Sequence, residues 1–166
     1  GGPGTSMESI EQDILPGMLS WHARSENFGC WAAIEKATGD FIGWFLLRPE
    51  RGGPCTEPEL GYRLRKSAWG KGYATEGARA LIEKGFNDLG VERVFAMTYQ
   101  DNAASRRVME KLGMRHVASH RFTPDEMGEH FGVTSPEFFP GEDVEYAIAR
   151  AEWNALRSGA HATQKG

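Results

Sequence analysis

Two glycines flank a lysine in Trp69-Gly70-Lys71-Gly72-Tyr73-Ala74, and the spacing puts them where a strand hands over to a helix. Glycine lets the backbone turn sharply and come close to a ligand, and the first N–H groups of the new helix have no partner inside it. Such a turn is an anion site, and phosphate is the anion it suits best. The P-loop pattern is not met, because Lys71 precedes Gly72 and Tyr73 follows it. A dinucleotide fingerprint is a poor match too, since the acidic residue about 20 positions on, Glu92, opens the next strand instead of closing it. His22, His116, His120, His130 and His161 lack ligand spacing, and no metal site is expected.

The elements around this turn follow from periodicity. Glu59 to Leu64 alternates like a strand, and apolar residues at 74, 78, 81, 82, 85, 86 and 89 fit one face of a helix that Gly90 ends. Val91 to Tyr99 is rich in strand formers. A second helix begins at Asp101 or Asn102, either of which can cap it, and Gly113 closes it. Strand, turn, helix, strand, helix implies two parallel strands, near residues 60 and 95, joined by a right-handed crossover.

Upstream, residues 8–24 fit a helix interrupted by Pro16-Gly17. Phe28 to Glu35 and Phe41 to Arg48 form an expected hairpin about the turn Lys36-Ala37-Thr38-Gly39-Asp40. Downstream, Arg115 to Phe122 and Asp143 to Ala149 read as strands, Thr123 to Gly141 as a long irregular loop, and Ala151 to Arg157 as a terminal helix. Residues 1–6 read as a tag remnant before Met7, 7–158 as one domain, and 159–166 as a frayed tail.

Composition narrows the function classes. The chain has 166 residues, 40% of them hydrophobic and 25% charged, which suits one domain with a sizeable core. A net charge of −4 gives no reason to expect nucleic acid as the partner. No apolar run reaches the roughly 18 residues of a membrane span and no signal peptide opens the chain, so a cytoplasmic protein is expected. Cys30 and Cys55 read as buried thiols of a reducing compartment.

Glu59-Leu60-Gly61-Tyr62, Trp69 to Glu76, Asn102-Ala103-Ala104-Ser105 and Glu110-Lys111-Leu112-Gly113-Met114 together resemble the GNAT superfamily of acyl-CoA N-acyltransferases. The likeness spans roughly residues 28–150 and is greatest to the RimJ/RimL branch of ribosomal-protein N-terminal acetyltransferases. The superfamily pattern Arg/Gln-x-x-Gly-x-Gly/Ala falls on Trp69 to Ala74, with Trp69 in place of Arg or Gln. The resemblance implies a single α/β (α+β) GNAT-type domain: a mixed, mostly antiparallel sheet with a splayed central parallel pair and flanking helices.

It also implies acetyl-CoA as co-substrate, with the amides of Gly70, Lys71, Gly72, Tyr73 and Ala74 on its pyrophosphate. Pantetheine is expected to insert where Tyr62, Arg63 and Leu64 splay from the neighbouring strand, with Asn102, Ser105 and Arg106 as further contacts. Acetyl transfer needs a neutral amine, a stabilised oxyanion and a proton for the departing thiolate. Glu59 is the preferred base, or a structural carboxylate holding a neighbouring strand. Ser105 is the preferred acid, or an N3 hydroxyl serving the helix start; Tyr99 is an alternative acid. Asn102 caps the helix, binds pantetheine, or does both.

Glu142, Asp143 and Glu145 are placed to attract a cationic acceptor, or form an acidic rim without a role. The family normally opens with a strand and a long helical region, whereas here residues 7–27 precede the hairpin. The wall of the acceptor site is therefore expected to be incomplete or supplied by a partner, as in a homodimer. The expected activity is N-acetylation of a primary amine, on a protein N-terminus or a small molecule such as an aminoglycoside. The rival from another class is a non-catalytic acyl-CoA-binding subunit.

Overall fold

A computed structural model describes residues 7–50, 52–121 and 141–163. Six strands form one sheet in the order β1-β2-β3-β4-β6-β5: β1 Gly29–Ile34, β2 Phe41–Arg48, β3 Glu59–Leu64, β4 Arg93–Tyr99, β5 Arg115–His120 and β6 Asp143–Ala149. Helices α1 (Met7–Ser9), α2 (Leu15–Arg24), α3 (Tyr73–Asp88), α4 (Ala103–Lys111) and α5 (Arg150–Thr163) flank it. Every neighbouring pair is antiparallel except β3 and β4. This is the mixed sheet with a parallel central pair that the motif order implied.

Strand alternation sorts the sheet into two faces. Phe45 and Leu47 face α3, where Gly77 and Gly85 bring the helix backbone close to them. Ile82 and Phe86 of α3, Met109 of α4, Leu112 just after it, and Trp153 of α5 bury their side chains in the same core. Arg48, the next residue after Leu47, turns to the other face and lies over the Trp21 ring of α2, 5.6 Å from its centroid.

Several expectations need correction. Pro16-Gly17 does not break the first helical region, which runs without a gap from Met7 to Arg24. The irregularity lies before it, as a π-helical turn over Ile10–Ile14. α5 runs on to Thr163, past Arg157. Cys55 is exposed and Cys30 only half-buried. Phe122 and the loop through residue 140 lie outside the described residues.

Candidate active site

The parallel pair touches at a single register point, Glu59 opposite Phe95. At that base the Phe95 N–H reaches the Pro58 carbonyl at 3.3 Å and the Arg93 N–H reaches the Thr56 carbonyl at 3.1 Å. Beyond it the strands part, yet each keeps its outer neighbour. β3 stays on β2 through Leu64, and β4 stays on β6 through Tyr99. The facing edges of Gly61 to Leu64 and Ala96 to Tyr99 therefore border a V-shaped gap inside the sheet. Sheet edges carry backbone donors and acceptors in a row, which suits an extended, amide-bearing ligand.

The open end of the V leads to the glycine turn. Gly70 and Gly72 have φ of +75° and +87°, and a Cβ built on either meets no atom within 4 Å. The first helical bond of α3 runs from the Glu76 N–H to the Gly72 carbonyl at 3.0 Å. The N–H groups of Tyr73, Ala74 and Thr75 thus have no partner within the helix, and they point with the positive end of its dipole toward the open volume beside the glycines. Trp69, 58% exposed, is pinned by its indole N–H to the Leu64 carbonyl at 2.7 Å, so one acceptor of the splayed β3 edge is already taken.

The turn is buttressed through Tyr73 and Lys71 by Glu35 and Thr38, which the sequence did not flag. Tyr73 donates its phenol to the Glu35 carboxylate, Lys71 lies 3.5 Å from the same oxygen, and Thr38 donates to the other at 3.0 Å. The Tyr73 hydrogen bond, then that of Thr38, holds the Glu35 carboxyl below the usual carboxylate range. The same bond, acting from the other side, pushes the Tyr73 phenol up. Arg65 and Asp40 add a second ion pair between the β1–β2 turn and this segment, at 3.3 Å.

Across the V, Asn102 caps α4 by accepting the Ser105 N–H at 3.1 Å, and its amide donates to Thr98 at 3.0 Å. Ser105 is thus both an N3 residue and a hydroxyl beside the gap, level with Tyr62 of β3. Tyr62 of β3 meets it: the two hydroxyls are 3.1 Å apart. Burial pushes the Tyr62 phenol up. Tyr99 lies on the sheet face opposite to Thr98, at the rim of a shallow pocket with Gln100, Asp101, Arg121, Gly141 and Glu142. Arg106 turns inward, donating to the Tyr146 hydroxyl at 3.0 Å and the Gln100 carbonyl at 3.1 Å, which ties α4 to β6 and the end of β4. Arg63 is exposed at the open end of β3.

Glu59 stands at the base of the V on the face opposite α3, with its Oε2 3.6 Å from the Arg48 Nη2. Among the described residues the buried Nε of Arg48 has no hydrogen-bond partner. On this face Glu145 is held by Arg93 and lies 3.2 Å from the His120 Nε2. Arg93 also pairs with Glu57 at 3.3 Å; of the expected acidic rim of Glu142, Asp143 and Glu145, it is Glu145 that Arg93 neutralises. Among the described residues no group of three or more His, Cys, Asp or Glu is placed to hold a metal ion, and no helix is long and apolar enough to cross a membrane.

A sequence profile described as an acetyltransferase (GNAT) domain matches residues 4–115. The chain belongs to the GNAT acetyltransferase family. It is 33% identical to the FsC-acetyl coenzyme A-N(2)-transacetylase of Aspergillus fumigatus over 92% of this chain and 63% of that protein. It is 37% identical to the uncharacterized protein YkkB of Bacillus subtilis over 62% of each. The chain thus spans less than two thirds of the length of both relatives. Among solved structures, the ribosomal-protein-S5-alanine acetyltransferase of Vibrio fischeri superposes with a TM-score of 0.68 at 16% identity, covering 92% of this chain and 79% of that one. At that identity the likeness concerns the fold alone.

Proposed function

We propose that this GNAT domain transfers the acetyl group of acetyl-CoA to a primary amine by direct attack in a ternary complex. The observation that carries the reading is the sheet that opens after one parallel pair, Glu59–Phe95, onto a turn of two left-handed glycines at a helix N-terminus. In this reading pantetheine pairs with the free edges of β3 and β4 while the amides of residues 70–74 hold the pyrophosphate. The thioester then lies toward the base of the V, between Glu59 on one face and Ser105 on the other.

Glu59 takes the proton of the attacking amine, directly or through water. Backbone N–H groups of the splay are the donors available to the oxyanion, a contribution of about 3 kcal/mol for one well-aimed donor. Ser105 gives the thiolate its proton. The activity named for the A. fumigatus relative, FsC-acetyl coenzyme A-N(2)-transacetylase, supports a small-molecule amine as acceptor ahead of a protein N-terminus.

The test is thermal stability with and without acetyl-CoA, followed by release of free coenzyme A with a panel of small amines and N-terminal peptides. Release is read by chromatography, because the exposed Cys55 would itself react with a thiol reagent. Stabilisation with release bears the reading out. Stabilisation without release with any amine turns it toward a non-catalytic coenzyme-binding domain. No stabilisation at saturating ligand removes it.

A further inference from the structure

Ser105 poses a chemical problem as an acid. An alkyl hydroxyl gives up a proton far less readily than a phenol, whose ordinary pKa is about 10. A serine that protonates a thiolate alone would pass through a strongly basic alkoxide. The structure puts a phenol against it. Tyr62 reaches from β3 across the helix-facing side of the V, with its hydroxyl 3.1 Å from the Ser105 Oγ and 3.3 Å from the Ser105 carbonyl oxygen. Its ring stands 6.2 Å, centroid to centroid, from that of Phe45, which fixes it from the core side. The Asn102 cap fixes Ser105 from the other.

We infer that Tyr62 is the proton reservoir behind Ser105, a positioning residue that acts through the serine hydroxyl on the departing coenzyme A sulfur. The inference rests on the acetyl-transfer reading given above. When the phenol donates to Oγ, the serine proton is turned away from Tyr62 and left for the sulfur. The step balances as follows. The amine nitrogen bonds to the carbonyl carbon, and collapse of the tetrahedral adduct breaks the C–S bond with its electron pair going to sulfur. The Oγ proton moves to sulfur while the Tyr62 proton moves to Oγ. The phenolate regains a proton from solvent, matching the one the amine has shed. Burial, which pushes the phenol up, keeps it protonated in the resting enzyme and makes the phenolate transient.

Tyr62→Phe removes only the hydroxyl and keeps the ring against Phe45. Single-turnover acetyl transfer is measured in the wild type, Tyr62→Phe, Ser105→Ala and the double variant, with acetyl-CoA affinity and thermal stability recorded for each. Ser105→Ala is expected to slow the reaction about 100-fold and Tyr62→Phe about tenfold, with affinity for acetyl-CoA within about twofold of wild type. The double variant should be no slower than Ser105→Ala, since a relay counts once. In H2O/D2O mixtures the wild-type rate should fall along a curve reporting two moving protons, and that of Tyr62→Phe along a line reporting one. Additive losses, an unchanged Tyr62→Phe rate, or weaker acetyl-CoA binding at a preserved rate would each overturn the relay. A fully active Ser105→Ala would overturn it together with the acid assignment, leaving acetyl transfer standing. No release by the wild type would instead remove the reading on which it rests.

Discussion

The phenol of Tyr73, the first residue of α3, donates to the carboxylate of Glu35 in the turn between β1 and β2. A carboxylate beside a proposed phosphate cradle is at first sight the wrong charge. It accepts from Tyr73 and Thr38 and lies beside the Lys71 ammonium, so its charge is consumed locally and the cradle loop is fastened to the sheet. Glu35 is only 12% exposed at the side chain, in keeping with a strut.

Removing this strut should loosen the cradle. Glu35→Gln and Tyr73→Phe are each expected to weaken acetyl-CoA binding several-fold by calorimetry; tighter binding by Glu35→Gln would mean that the carboxylate only repels phosphate. The pH dependence follows from the two shifts. Glu35 is depressed, so its stabilisation is present above the unfolded value near 4.3 and lost as pH falls through the lower folded one. Tyr73 is raised, so its share is present below about 10 and lost as pH rises through the folded value. The Tm difference between wild type and Tyr73→Phe should be flat between about pH 5 and 9 and shrink at either end.

The cradle itself can be tested against a matched control. Gly72 and Gly90 have φ of +87° and +69° at opposite ends of α3, and a Cβ at either meets no atom within 4 Å. Valine at either position should carry the same left-handed strain, about 1–2 kcal/mol. Only Gly72→Val should also fill the space proposed for the pyrophosphate. Its acetyl-CoA Kd is expected to rise more than about tenfold, a loss above about 1.4 kcal/mol, while Gly90→Val loses stability alone. Equal affinities in the two variants would count against the cradle.

What the sequence disclosed was local. The glycines at 70 and 72, the Asn102 cap with Ser105 three residues on, and the strand from Glu59 to Leu64 each depend on neighbours within a turn or two, and each lies where its periodicity put it. The parallel pair was legible from element order, because a strand-helix-strand unit has one favoured handedness. What stayed hidden depends on contacts between distant segments. Glu35 looks like any turn carboxylate until β2 folds back and brings it to Tyr73. Tyr62 reads in the sequence as part of the pantetheine-binding splay, and its pairing with Ser105 emerges only when α4 sets that serine opposite it. Arg106 reads in the sequence as a coenzyme contact, and only the register of β6 reveals that the Tyr146 hydroxyl accepts from its guanidinium.

Close packing of α3 on β2 makes Gly77 a sensitive position. A Cβ there would lie 2.3 Å from the Phe45 Cζ, inside the hard contact limit. Gly77→Ala should therefore destabilise the domain by about 1–3 kcal/mol in urea unfolding, although alanine is the better helix former by about 1 kcal/mol. Adding Phe45→Leu should recover part of the loss by vacating the space. Stabilisation by Gly77→Ala alone would show that the helix shifts freely on the sheet.

Glu59 and Arg48 decide whether the base of the V is chemistry or scaffolding. Their closest approach is 3.6 Å, with side chains 15% and 28% exposed, and the buried Arg48 Nε has no hydrogen-bond partner among the described residues. Glu59→Gln removes the charge and leaves the guanidinium against Trp21 without its counterion, which should cost about 2 kcal/mol of stability. If Glu59 is the base, single-turnover acetyl transfer should also fall about 100-fold with acetyl-CoA affinity retained. The two losses separate in the double variant Arg48→Met/Glu59→Gln. With no orphaned charge left, its stability should return toward that of the wild type, because a part-buried pair replaced as a unit costs little. Its turnover should stay as low as that of Glu59→Gln. Recovery of turnover together with stability would make Glu59 a strut for Arg48, and the attacking amine would then shed its proton elsewhere.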